Sequence, residues 1–417
     1  MNTRHLECYG NKEIEGIIKI SGSKNASLPI ISSVLLCKNK SLIHNVPRIS
    51  DITNLLKIFD LLNVRSSFIN NDLIIDSSSI EYVPLTMEEV GLLRASYYLI
   101  PVLLYYNDEV QISSIGGCDF EKRPIDIHID VFSSFGVDCK RDGMGYIFRK
   151  NDLHPNEYRF KKKSVGGSIN AILLASYIKG RSILYNYSHE VEVIEVINVL
   201  RMMGVNIEYD DKKIVIEGTD DFKPIEYTII SDRIEAETFM IFALTYGRMI
   251  LVDINKNHHI PFLSFLDHIE ATYDIGEKVG YFQKKMIDKG IVLSFGNEED
   301  VSTDIEPLLL VYLLLNNKKM SLVNDLIYKK RILFMKEFGK ACYFKNDKVL
   351  INPRNHHRVH FNLIGHNLRE TMAYVLYAFL NPIKMKIYGL EYLYRGYEDV
   401  IDKLCSLNNE VGIYEDD

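Results

Sequence analysis

The sequence predicts an α/β protein built from about six helix-then-strand units, three in each half. Three observations predict it. Segments with apolar residues three and four apart recur along the chain. Each is followed by a short run that alternates apolar and polar residues, the period of a half-buried strand. No Pro/Gly-rich linker or low-complexity tract interrupts the 417 residues, so the division into halves must be read from the repeat itself, near Ser231.

Residues 15–20 are a β-prone run. They end in a Gly/Ser turn, Ser21-Gly22-Ser23-Lys24-Asn25, that leads into an apolar segment and either presents an ammonium and an amide to a ligand or is simply a solvated turn. The first amphipathic helix is read at 51–62, with strands at 64–69 and 73–75. The second is at 126–137, followed by a strand at 146–148. The third is at 192–205, with strands at 207–209 and 213–216. Weaker echoes follow at 262–275, 331–341 and 397–411, each assigned a strand: 291–295, 348–351 and 412–414. Apolar runs near 97–106 and 307–315 are too short to span a bilayer.

Composition narrows the function. Apolar residues make up 47%, as in a globular chain. A net charge of −7 argues against general nucleic-acid binding, though not against a local cationic pocket. The six cysteines, at 8, 37, 118, 139, 342 and 405, show neither metal-ligand nor disulfide-framework spacing. The first residues lack an apolar signal core, so a reducing cytoplasm is the expected home. His258-His259 and His356-His357 have no ligand spacing and read as surface loop residues.

The stretch richest in chemistry is 115–129. Gly116 and Gly117 permit a sharp turn or close approach to a ligand. Cys118 follows, with Lys122 and Arg123 near enough in sequence to favour its thiolate, and then Pro124, Ile125, Asp126 and Ile127. Arg94 precedes an apolar run. Lys161-Lys162-Lys163 joins Ser164-Val165-Gly166, a basic run at a helix start that suits an anion or is simply a solvated loop. Asp304 stands before the apolar run 308–315, where it acts as a base or caps the helix. Asp232 and Glu235 read equally as a structural ion pair or a site, and Arg369 and Arg395 taken singly read as surface ion pairs.

Taken together, these segments resemble the enolpyruvyl transferases, and within them the branch whose acceptor is UDP-N-acetylglucosamine. The likeness covers nearly the whole chain. Its carriers are Ser23-Lys24-Asn25, Leu93-Arg94-Ala95-Ser96, Gly-Gly-Cys118 with Arg123-Pro124-Ile-Asp126, Ser164-Val165-Gly166, Asp232-Arg233-Ile-Glu235, Thr303-Asp304, Arg369 and Arg395-Gly-Tyr-Glu. The resemblance implies a two-domain inside-out α/β barrel: residues 22–231 with the cysteine loop, and residues 1–21 with 232–417 carrying the acid and the arginines. It implies transfer of the enolpyruvyl group of phosphoenolpyruvate to the sugar 3-hydroxyl with release of phosphate, by addition and elimination, for peptidoglycan synthesis. Cys118 would donate the proton and be the target of fosfomycin, and Asp304 would take the hydroxyl proton. Lys24, Asn25, Arg123, Arg331, Arg369 and Arg395 would hold phosphoenolpyruvate, with Lys24 and Arg395 also catalytic. Asn25, Arg94, Arg123–Ile127, Lys162–Gly166, Asp304 and Ile327 would hold the nucleotide sugar. No metal or organic cofactor, nucleic acid or membrane is implied.

The chain departs from the family pattern at Ser302 and Glu306 around the acid, at Lys330 and Ile332 around Arg331, at Tyr394, and at Lys163. The cation set survives, so phosphoenolpyruvate chemistry is expected. The alternatives are a different nucleotide or sugar-nucleotide acceptor, or a catalytically silent sugar-nucleotide-binding regulator.

Overall fold

The computed structural model describes residues 4–10, 12–85, 90, 93–113, 125–143, 145–296, 299–325, 331–345, 348–356, 361–379, 381–408 and 410–415. Cys118, Arg123, Pro124 and Ile327 therefore lie outside the described residues. The chain falls into two compact units. It leaves the first at Ser21, enters the second at Gly22, and returns at Ser231.

Both units use one building pattern three times. A strand leads into a helix and then into a second strand parallel to the first; a further helix follows, and two antiparallel strands complete the sheet. The unit beginning at Gly22 holds three sheets. Their strand orders are Glu226–Thr228, Lys40–His44, Asp72–Asp76, Arg65–Ile69; then Glu109–Ser113, Gly145–Lys150, Val137–Asp142; then Glu157–Arg159, Arg181–Tyr185, Lys213–Glu217, Asn206–Tyr209. A parallel bridge from Leu85 to Ile112 supplies the missing edge of the middle sheet. The other unit holds Ile14–Lys19, Gly247–Val252, Val279–Gln283, Tyr273–Ile275; then Ile291–Phe295, Ser321–Asp325, Lys348–Ile351, Cys342–Lys345; then Asn362–Ile364, Met385–Tyr388, Arg4–Cys8, Gly412–Glu415. Chain order is broken where a strand comes from a distant segment: Ile14–Lys19 opens the sheet of Gly247–Val252, Glu226–Thr228 opens that of Lys40–His44, and Arg4–Cys8 pairs antiparallel with the C-terminal strand.

Two layers of helix follow from two kinds of sequence. The helix after each opening strand is apolar nearly all round, and such a helix must be buried on every side. These six are α1 (Lys24–Ser33), α2 (Leu99–Tyr106, entered through the 3-10 turn Arg94–Tyr98), α3 (Val165–Ala175), α4 (Arg233–Tyr246), α5 (Glu306–Asn316) and α6 (Leu368–Ala378). In α3 every residue from Gly167 to Ala175 is buried. The second helix of each pattern is one-sided and covers its sheet. These are Ser50–Leu61, Asp126–Ser134, Val191–Met202, Ile260–His268, the 3-10 segment Arg331–Ala341, and Val400–Leu407. Each unit thus has helices at its centre and sheets outside, with one continuous apolar core of its own.

Two readings from sequence need correction. Strand 291–295 does not complete the repeat that begins at 262. It opens the next one, and the hairpin of Tyr273–Ile275 and Val279–Gln283 completes the earlier repeat. His259 is not a surface loop residue. It is buried at 2% exposure, with Nδ1 3.0 Å from the buried Glu237 carboxylate.

Candidate active site

Many of the predicted site residues that are described share one place in the repeat, the N-terminus of a buried helix; Arg331, Arg395 and Ile125–Ile127 lie elsewhere. Lys24 and Asn25 begin α1, Arg94 begins the turn into α2, and Ser164, Val165 and Gly166 begin α3. Arg233 begins α4, Asp304 lies two residues before α5, and Arg369 is the second residue of α6. The exposed amides and positive end of each helix dipole face the same ends, a setting that favours anions. Side chains cap four of the six: Ser23 accepts from the Ala26 amide, Ser164 from Gly167, Asp232 from Ile234 and Glu235, and Asn367 from Glu370.

In the unit beginning at Gly22, Lys24 is largely buried, and its Nζ lies 3.7 Å from the buried Asp51 carboxylate. Arg94 lies over the Tyr97 ring at 5.9 Å. Tyr97 packs against His128 with centroids 4.4 Å apart and the rings tilted at 43°, and its hydroxyl donates to that of Tyr98 at 3.3 Å. Asn170 on α3 donates from Nδ2 to His128 Nδ1 at 2.9 Å. Burial, and then the neighbouring Arg94 charge, push His128 down to about 3, so it is neutral at physiological pH. Gly166 makes this packing possible: a Cβ there would stand 2.8 Å from the Tyr97 hydroxyl and 3.0 Å from His128 Cε1. Ile125 is buried, Ile127 half-buried and Asp126 exposed. Lys161, Lys162 and Lys163 are all exposed, with Lys163 Nζ 3.4 Å from His189 Nδ1.

In the other unit, Asp304 does not cap α5, whose cap residue, Ile305, makes no side-chain capping bond. Its carboxylate turns instead to two buried arginines. Oδ1 lies 3.3 Å from Arg369 Nε and 3.7 Å from Arg331 Nη2. Arg331 also donates from Nη1 to the Thr303 carbonyl. Arg369 donates from Nη1 to the Tyr397 hydroxyl at 3.0 Å, which lies 2.9 Å from Thr238 Oγ1. Burial alone would lower Arg369, but Asp304, Tyr397 and Asp232 together raise it, so it stays charged. Neither Arg331 nor Arg369 is a surface pair; their side chains are 7% and 9% exposed. Arg395 is half-buried, two residues after the short helix Leu390–Leu393. Glu235 proves structural. It is buried, accepts from the Ser21 amide at 2.8 Å and pairs with Lys403, which donates to Ser21 Oγ at 2.6 Å.

Sequence reasoning missed Asp51, Tyr97, His128 and Asn170, and quoted Tyr397 in its motif without a role. A signal was present for His128 and Asn170: each is a polar residue placed on the buried side of a helix that is otherwise apolar there. Among the described residues no cluster of His, Cys, Asp and Glu could hold a metal ion, and no helix is long and apolar enough to cross a membrane.

The chain as a whole is similar to known proteins. A solved structure of the enolpyruvyl transferase NikO from Streptomyces tendae superposes with a TM-score of 0.90 at 19% identity, covering 100% of this chain and 99% of that one. An EPSP synthase structure from Acinetobacter baumannii gives 0.75 at 15% identity, covering 99% and 100%. Among sequence relatives, a UDP-N-acetylglucosamine 1-carboxyvinyltransferase of Halothermothrix orenii is 30% identical over 409 residues, 96% of this chain and 97% of the relative. One of Streptococcus pneumoniae serotype 2 is 28% identical over 425 residues, 99% and 100%. Residues 8–404 match the family described as EPSP synthase (3-phosphoshikimate 1-carboxyvinyltransferase), and the chain belongs to that family, with its two-domain fold of three repeated α/β units per domain.

Proposed function

We infer that this protein is an enzyme that transfers the enolpyruvyl group of phosphoenolpyruvate to the 3-hydroxyl of UDP-N-acetylglucosamine, releasing phosphate, in peptidoglycan precursor synthesis. The observation that carries the reading is Asp304, before α5, set against Arg369 on α6 and the buried Arg331, in a chain whose full-length relatives bear that activity's name. Phosphoenolpyruvate brings a phosphate and a carboxylate, and each needs a fixed cation. Arg331, Arg369, Arg395 and Lys24 are the described candidates, with Arg123 beside them in the sequence pattern. Buried guanidiniums bind anions more strongly than exposed ones because less water screens them.

Addition needs a proton delivered to the methylene carbon and one removed from the sugar hydroxyl. Cys118 is assigned the first role and Asp304 the second. Of the five described cysteines, burial pushes Cys139 to about 11 and Cys342 to about 12, and also raises Cys8 and Cys405, the opposite of activation. Elimination of phosphate then restores the double bond. Asn25, Arg94, Ile125–Ile127, Lys162–Gly166 and, beyond the described residues, Pro124 and Ile327 are assigned to the nucleotide sugar. We place the protein in the cytoplasm, where a reducing environment keeps cysteines as thiols.

The exposed Lys163, where the family has an apolar residue, supports a second reading in which the acceptor is another nucleotide. Phosphate release from phosphoenolpyruvate, measured with UDP-N-acetylglucosamine and with other nucleotides and sugar nucleotides, tests both. Release that requires UDP-N-acetylglucosamine supports the first reading. Release with another acceptor alone replaces it with the second, and binding of UDP-N-acetylglucosamine without release makes the protein a silent binder.

A further inference from the structure

Each sheet turns one face to its core and the other outward, so outward side chains form rows across the strands. In five of the six sheets these rows include carboxylates, among them Glu226, Asp138, Glu157, Asp274 and Glu7. The sheet of Ile291–Phe295, Ser321–Asp325, Lys348–Ile351 and Cys342–Lys345 differs. Register aligns Val292, Leu322, Leu350 and Tyr343 in one apolar row, and Ser294, Asn324, Lys348 and Lys345 in the next. These eight residues include no carboxylate.

Both ends of the apolar row are open, with Val292 69% and Tyr343 65% exposed. Leu322, Tyr343 and Leu350, together with both lysines, line a shallow depression of about 300 Å³. Lys345 and Lys348 stand directly opposite each other across their strands, an arrangement of like charges that costs sheet stability. Exposed apolar edges are also an association hazard that sheets usually blunt with charge. A chain of net charge −7 carries both costs on this one face. A second copy docking here about a two-fold axis parallel to the strands would set lysines against lysines.

We propose that this sheet face docks an acidic segment of a partner protein, one in which carboxylates alternate with apolar side chains. The apolar side chains cover the Val292–Leu322–Leu350–Tyr343 row, and the carboxylates meet Lys345 and Lys348. Steering by the lysine pair sets the sign of the partner, and apolar contact supplies the hold.

Fluorescence anisotropy of the full chain with a labelled peptide alternating Glu and Leu, about ten residues long, tests this. The control peptide alternates Lys and Leu. The acidic peptide should bind and the basic one should not. Lys345→Glu with Lys348→Glu should weaken binding by about tenfold or more, and salt should weaken it in the wild type, while phosphate release from phosphoenolpyruvate stays unchanged. The proposal is overturned by absence of acidic-peptide binding, or by binding indifferent to the lysine changes. It is equally overturned if sedimentation shows a dimer that Tyr343→Glu dissociates, because a second copy then occupies the face.

Discussion

Replacing Asp304 by Asn removes one charge and almost no volume, and the structure sets what should follow. Asp304 Oδ1 lies 3.3 Å from Arg369 and 3.7 Å from Arg331, both buried. At an effective dielectric constant of about 20, each contact has a gross Coulomb energy of roughly 4–5 kcal/mol. Much of that is offset by the desolvation of three charges, and the acid is itself 31% exposed, so the net cost to stability should be about 1–3 kcal/mol. The two guanidiniums, no longer balanced by the acid, should hold an added anion at least as well as before. The variant should therefore keep or improve its KM for phosphoenolpyruvate and bind the sugar nucleotide within about tenfold, while kcat falls by about 100-fold or more, the scale of losing a positioned base. Glu306 cannot substitute, because it is wholly buried at the start of α5. Phosphate-release kinetics at varied phosphoenolpyruvate and a urea melt measure the two effects. A kcat near wild type, or a KM for phosphoenolpyruvate that rises sharply, would refute the reasoning. Loss of activity in Glu306→Gln with Asp304→Asn active would identify the other carboxylate as the base.

Other outcomes follow from the same geometry. Cys118→Ser should remove turnover while leaving the thermal melt unchanged, and fosfomycin should add one adduct to the wild type by intact mass, faster with UDP-N-acetylglucosamine present; a wild type that stays active and unmodified contradicts the assignment of Cys118. His128 has a folded pKa near 3, well below the unfolded value of about 6.5, so its stabilising effect is complete above pH 6.5 and is lost as pH falls toward 3, by up to about 1.4 kcal/mol per pH unit. His128→Asn should flatten that part of the pH–stability curve, measured by urea melts from pH 7 to pH 4. Gly166→Ala places a methyl against Tyr97 and His128 and should cost about 1–3 kcal/mol and raise KM for the nucleotide sugar more than for phosphoenolpyruvate. Lys403→Met leaves the Glu235 carboxylate buried without its ion pair and should destabilise by about 3 kcal/mol, with Glu235→Gln added to it restoring part of the loss in a denaturant melt.

The sequence shows the outer half of the fold more clearly than the inner half, for a physical reason. The helices legible at 51–62, 126–137, 192–205, 262–275, 331–341 and 397–411 are the ones that cover the sheets, and one-sided burial writes a period into their sequences. The six central helices are buried on nearly every side, so burial writes little period into their sequences. Two of them surfaced only as the apolar runs near 97–106 and 307–315. The hairpin 273–283 was hidden because its strands are short and its exposed residues dominate its composition. In the site, cations were legible one by one, but the position of Lys24, Arg94 and Arg369 at buried helix N-termini was not, since that depends on which helices lie inside. The pairing of Asp304 with Arg331 and Arg369 joins residues 27 and 65 positions away, a separation that no local pattern encodes. His128 escaped because burial, not spacing, makes it neutral.

The central claim is enolpyruvyl transfer by addition and elimination, and running the reaction in deuterium oxide tests it most directly. Addition delivers a solvent-derived deuteron to the methylene carbon of phosphoenolpyruvate, and elimination leaves part of it in the new vinyl group. Incubation with phosphoenolpyruvate and UDP-N-acetylglucosamine should release phosphate and yield a sugar nucleotide carrying an enolpyruvyl ether at the 3-position, with deuterium on its vinyl carbon by NMR and mass spectrometry. Phosphate released with the sugar nucleotide unchanged, or an ether formed with no deuterium in the vinyl group, would contradict the account.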